Sequence, residues 1–166
     1  ALQLYPHNAE ALNNLGDLHY FKGFYKLAGE EYKQAIKFNP YYAEAYNNLG
    51  LIYCEMKQYD EAQKAFLKAL ELKSDFGEAY NNLALRYLDK RLYHNALKGF
   101  NEALRLMPES AEVHFNLALV YLRGFKHKHD AQTQNAVASA DDPQQSRASL
   151  IRKILTQLDD NGLSEK

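Results

Sequence analysis

The chain has 166 residues, enough for one domain on length alone, and 46% of them are hydrophobic, ample for a core. A formal net charge of −1 implies no general affinity for polyanions. A single cysteine, Cys54, excludes a disulfide framework and a cysteine-based metal site, no apolar run approaches membrane length, and Ala1 opens no signal-peptide pattern.

The first eight residues, ALQLYPHN, match the end of a helix that recurs later: Ala1 aligns with Ala69 and Ala103, and Pro6 with Pro40 and Pro108. Residues 1–8 are expected to be the tail of a preceding repeat, in a fragment of a longer array whose leading edge exposes apolar surface. Residues 9–38, AEALNNLGDLHYFKGFYKLAGEEYKQAIKF, then reappear 34 residues on as 43–72 and again as 77–106. A fixed period of this size marks a stacked repeat protein, here with copies at 9–42, 43–76 and 77–110. Within a copy, Tyr46, Leu49, Gly50 and Tyr53 make one stripe of a first helix, and Ala62, Phe66, Ala69 and Leu70 one stripe of a second. Pro40 and Pro108 close second helices because proline cannot continue the hydrogen-bond ladder.

A fourth copy supplies one helix over 111–124. Residues 125–143 are polar and read as a loop, and their His127 and His129 form a lone HxH, a pattern more often solvated than metal-bound. An amphipathic helix is expected over 144–159, with Leu150, Ile151, Ile154, Leu155 and Leu158 as its stripe, capping the array before a tail at 160–166. Helices are thus expected near 9–22, 25–38, 43–56, 59–72, 77–90, 93–106, 111–123 and 144–159, with no strand.

The repeating residues resemble the tetratricopeptide repeat. The second copy carries that family's pattern as Tyr46, Leu49, Gly50, Tyr53, Ala62, Phe66 and Ala69, with Ser74 where proline is usual. The third carries it as Tyr80, Leu83, Ala84, Tyr87, Ala96, Phe100, Ala103 and Pro108, and the first as Leu12, Leu15, Gly16, His19, Ala28, Tyr32, Ala35 and Pro40. The resemblance implies an all-α fold, a right-handed superhelical α-solenoid of helix-turn-helix repeats, with first helices lining a concave groove where peptides bind.

Numbering each copy from Ala9, Ala43, Gly77 and Ala111, the face opposite the core stripe carries positions 2, 5, 6, 9 and 13 at about 100° per residue. Position 6 is asparagine throughout: Asn14, Asn48, Asn82 and Asn116. Position 5 is Asn13, Asn47, Asn81 and then Phe115, and position 9 is Asp17, Leu51, Leu85 and Leu119. Asparagine is a poor helix former, so a run of it needs a reason. A carboxamide offers one acceptor and two donors, which suits pairing with an extended peptide backbone. The bland alternative is that these amides bridge neighbouring helices. The sixth-position residues resemble the asparagine ladder of the O-linked N-acetylglucosamine transferase superhelix, which implies a peptide-binding role. The leucines form either an apolar docking strip or a surface shielded by adjacent helices.

Position 2 is Glu10, Glu44, Glu78 and Glu112, favoured there by the helix dipole. With Glu55 and Asp89 on the same side, a neutral or basic peptide is expected over an acidic one. Arrays of this family that hold chaperone C-terminal carboxylates do so with Lys, Arg and Asn; positions 2, 5 and 6 here hold no Lys or Arg, which disfavours chaperone tails. No nucleophile motif, phosphate loop or metal spacing is present, so no catalytic residue, metal or cofactor is expected, and neither is nucleic-acid binding or membrane insertion. The composition fits the cytoplasm and permits a periplasm. The expected role is a scaffold for protein interaction. The alternatives are the targeting arm of an enzyme whose catalytic domain lies elsewhere and a scaffold that self-associates through open repeat ends.

Overall fold

In a computed structural model, residues 6–124 are described, and every regular element among them is an α-helix. In order these are α1 (Pro6–Phe21), α2 (Tyr25–Phe38), α3 (Ala43–Glu55), α4 (Tyr59–Leu72), α5 (Gly77–Asp89), α6 (Tyr93–Leu106) and α7 (Ala111–Gly124). The preceding five residues and the expected loop, capping helix and tail after 124 lie outside the described residues, as do His127 and His129.

α1 opens at Pro6, three residues before its expected start. A proline suits a first helical position because the N–H it lacks would have no intrahelical partner there. Pro40 and Pro108 instead lie beyond the second helices. The residue before Pro40 is extended, with φ −134° at Asn39, and Lys73 before Ser74 is extended at −140° without a proline, while Met107 before Pro108 leaves the helix with φ −130°.

The turn inside each helix pair is the same three times. Position 15 is left-handed: Gly23, Lys57 and Arg91 have φ 78°, 59° and 58°. The next N–H, of Phe24, Gln58 or Leu92, reaches back five residues to His19, Tyr53 or Tyr87. This backbone closure satisfies carbonyls that a helix end leaves open.

Each first helix packs on its own second helix, and each second helix on the following first helix. The core is therefore a chain of local clusters. Tyr32 of α2 is buried with Leu49 and Ile52 of α3, and Phe66 of α4 with Leu83 of α5. A longer cluster joins Phe100 of α6 to Leu117 and Val120 of α7. Ala28, Ala62 and Ala96, and likewise Ala35, Ala69 and Ala103, are wholly buried where backbones approach. The result is an all-α repeat solenoid in which stability is approximately a sum of nearest-neighbour terms.

Candidate functional site

Like helices meet along the first-helix side, α1 against α3 and α5 against α7, and no two second helices pack to a comparable degree. First helices thus lie on the inner side of the stack. A line of amide hydrogen bonds runs across them. Asn48 Nδ2 donates to Asn13 Oδ1 at 3.1 Å, Asn82 Nδ2 to Asn47 Oδ1 at 3.0 Å, and Asn116 Nδ2 to Asn81 Oδ1 at 3.0 Å. Asn48, Asn82 and Asn116 therefore each reach back to the fifth-position asparagine of the copy before.

The fifth-position asparagines are not open to the groove, whereas Phe115 is exposed. Asn13, Asn47 and Asn81 are buried at 5%, 6% and 4% exposure, and Asn116 at 6%. Asn14 is exposed, while Asn48 and Asn82 are half-buried. The helical-wheel expectation gave each first helix one covered side. In the stack it meets its own second helix, the preceding second helix and the first helices of adjoining copies, and the next first helix covers position 5. Leu51, Leu85 and Leu119 are half-buried. Leu51 packs beside the Phe66 cluster, and Leu85 and Leu119 beside that of Phe100.

The amides differ in what they have left. Asn48 donates to Asp17 Oδ1 at 3.0 Å as well, and its carbonyl accepts from Asn47 Nδ2 at 3.4 Å. Asn81 Nδ2 donates to Glu112 at 2.8 Å. Asn82 uses one N–H on Asn47, and no bond among the described residues takes its carbonyl or second N–H.

Asp17 is a junction that position-by-position reasoning missed. It accepts from the Tyr32 hydroxyl at 2.7 Å, from Asn48 at 3.0 Å and from Asn13 at 3.4 Å. The signal for it was present: the first copy alone has Asp at position 9, and alone has Tyr where later copies have Phe66 and Phe100. Burial, then the Asp17 bond, pushes the Tyr32 phenol well above its ordinary pKa. His19 shows a similar exchange, its Nδ1 lying 2.7 Å from Glu31.

Of the position-2 carboxylates, Glu44 binds Lys73 at 2.9 Å. Burial pushes the Glu44 carboxyl up, but the Lys73 bond and a backbone bond outweigh it and hold the group below its ordinary value. Cys54 is half-buried, and burial raises its thiol pKa, which keeps it protonated. His114 meets the Pro108 carbonyl at 2.8 Å. Among the described residues no cluster of three or more His, Cys, Asp or Glu could hold a metal, and no helix is long and apolar enough to cross a membrane.

Comparison with known proteins agrees with this architecture. The tetratricopeptide repeat family matches residues 43–76 and, in a second description of that family, 81–146, and a TPR repeat family matches 19–57. No curated protein sequence matches significantly. Among solved structures, the first TPR domain of human RPAP3 superposes with a TM-score of 0.70 at 21% identity, covering 76% of this chain and 99% of that one. The first TPR of Spaghetti (RPAP3), solved with the HSP90 peptide SRMEEVD, gives 0.69 at 20% identity over 74% of this chain and 97% of that one. MamA gives 0.57 at 34% identity, over 64% of this chain and 63% of that one. Period, helix pairing and these matches together place the chain in the tetratricopeptide repeat family.

Proposed function

We propose that the chain is a protein-interaction scaffold that holds an extended peptide segment of a partner along its first helices. The observation that carries this is Asn82, half-buried at mid-array, with a carbonyl and one N–H not used by the described residues. One acceptor and one donor on the same amide match the alternating groups of an extended backbone. Leu85 and Leu51, one per repeat and half-covered, supply apolar contact beside it. The peptide bound by the RPAP3 domain supports a peptide as the class of occupant. The exposed carboxylates of Glu55, Glu78 and Asp89 favour a neutral or basic segment here.

The test is calorimetry against a partner peptide found by pull-down with this chain, beside a thermal melt of each variant. Asn82→Ala loses two hydrogen bonds to the peptide, one donated and one accepted, so affinity should fall by about five- to 150-fold. Leu85→Ala should also weaken binding, and Lys64→Glu, on a second helix, should not. A lower melting temperature with undiminished affinity in Asn82→Ala would make the amide a bridge between helices and nothing more. The charge preference has its own arm: a lysine-substituted counterpart should bind more tightly than SRMEEVD, and the reverse order removes that preference.

A further inference from the structure

The copies act as internal controls for one another. Positions 3, 7 and 10 of a first helix are buried where a preceding second helix covers them, as at Ala45, Leu49 and Ile52. In α1 the same positions, Ala11, Leu15 and Leu18, are exposed, as an uncovered stacking face must be.

Positions 13, 16 and 19 behave differently. They flank the turn between the paired helices and stay exposed even with a copy stacked ahead. The second copy has Glu55, Gln58 and Glu61 there, and the third has Asp89, Leu92 and Asn95. The first copy has Phe21, Phe24 and Leu27, exposed by 85%, 53% and 47%. Another repeat stacked on α1 would leave these positions in solvent, so stacking does not account for three large apolar side chains.

Two cations stand among them. Lys22 and Lys26 are exposed, and neither side chain has an ion pair or hydrogen bond among the described residues. Lys90, at the repeat position of Lys22, meets Asp60 at 2.8 Å and Gln63 at 3.0 Å on the second helix of the preceding copy, so Lys26 is the cation of this turn whose exposure does not depend on stacking.

We propose that the α1–α2 turn of the first copy docks on an anionic lipid bilayer. Phe21, Phe24 and Leu27 enter the headgroup boundary, and Lys22 and Lys26 pair with lipid phosphate or carboxylate groups. A protruding turn with apolar side chains and a basic rim suits an interface. A helical protein partner would need a groove for its apolar face. The cavity of about 250 Å³ beyond Lys26, between α2 and α3, is lined by none of the three apolar residues. A second copy is disfavoured because two such turns face to face would oppose four lysines. With only three side chains and two charges, binding is weak, reversible and salt-sensitive.

Co-sedimentation of the full chain with vesicles tests this. The chain should bind phosphatidylcholine vesicles containing one part in three phosphatidylserine at low salt, and not phosphatidylcholine alone. Phe21→Ser with Phe24→Ser should lower the partition coefficient by about tenfold or more. Lys22→Glu with Lys26→Glu should lower it and flatten its salt dependence, while Met56→Ser, at the turn of the second copy, should leave it unchanged. Melting temperatures should hold, since every residue changed is exposed, and a variant that fails this check is replaced by Phe21→Gln alone. No binding to anionic vesicles, equal binding by the double variants, or capture of an acidic amphipathic peptide in place of vesicles would each overturn the proposal. Peptide affinity in the groove should not respond to Phe24→Ser alone, since Phe24 lies in the turn before α2 and not on a first helix.

Discussion

Asp17 stands where the three later copies have leucine, and it stands there because Tyr32 does. A phenol buried to 2% exposure cannot leave its hydroxyl without a partner, and Asp17 Oδ1 accepts from it at 2.7 Å. Asp17→Leu alone should therefore cost about 1–3 kcal/mol, the penalty of a stranded buried donor. Combining it with Tyr32→Phe restores the pairing used by Leu51 with Phe66 and should recover much of that loss. Recovery is incomplete because Asn48 and Asn13 also use Asp17. A denaturant double-mutant cycle checks it, and additive losses would show the two residues to be independent. The pH dependence follows in sign. The folded Tyr32 pKa lies above its unfolded value near 10, so its contribution is complete below about pH 10 and is lost as pH rises further. The double variant should unfold less steeply in alkali. Arg86 is the opposite case. It holds position 10, where Ile52 and Val120 are buried, and its Nε is buried without a hydrogen bond. Its pair with Asp89 at 3.1 Å is half exposed and worth little. Arg86→Ile should leave the melting temperature unchanged or raise it.

Within a helix pair, one methyl group is placed differently in successive copies. A Cβ on Gly50 would lie 2.5 Å from Phe66 Cε1, so α3 meets α4 through glycine. In the third copy Ala84 takes that place, and the facing residue is Gly99, whose Cβ would lie 2.8 Å from that of Ala84. The second copy has Ala65 at the position of Gly99. Gly50→Ala gains about 1 kcal/mol of helix propensity but forces Phe66 aside, and overpacking of this kind costs about 1–3 kcal/mol. The net expectation is a loss of up to about 2 kcal/mol, partly recovered by adding Ala65→Gly. A Gly50→Ala chain as stable as its parent would show that this contact does not set how closely α3 and α4 approach.

Across the whole array, each helix answers to its neighbours alone, and this decides which mutations matter. Leu18 and Ile52 share a repeat position, but Leu18 is 48% exposed and Ile52 is 1% exposed. Ile52→Ala should cost about 2–5 kcal/mol, whereas Leu18→Ala should stay within about 0.5 kcal/mol. Equal losses in a urea titration would mean that α1 carries a covering element. The same neighbour rule explains what could be read from sequence. Helix pairs and their 34-residue register were legible because turn closure and core stripe are local and occur three times. Asn13, Asn47 and Asn81 were misplaced on the open face because burial there is conferred by the next copy, which a wheel drawn for one helix does not contain. The Asp17–Tyr32 exchange was legible in principle, as two departures in the same copy that make sense only together.

The row of amides across the first helices also has a mechanical meaning. Its bonds lie on the inner side of the stack, so flattening the curve stretches them, while tightening it compresses them. Each spans one repeat junction, and they act in series, as stops on three hinges. Phe115, at the fifth position of the fourth copy, offers no carbonyl to a following helix. The row of stops thus ends at α7, and a ligand that had to widen the described array would stretch its three bonds together.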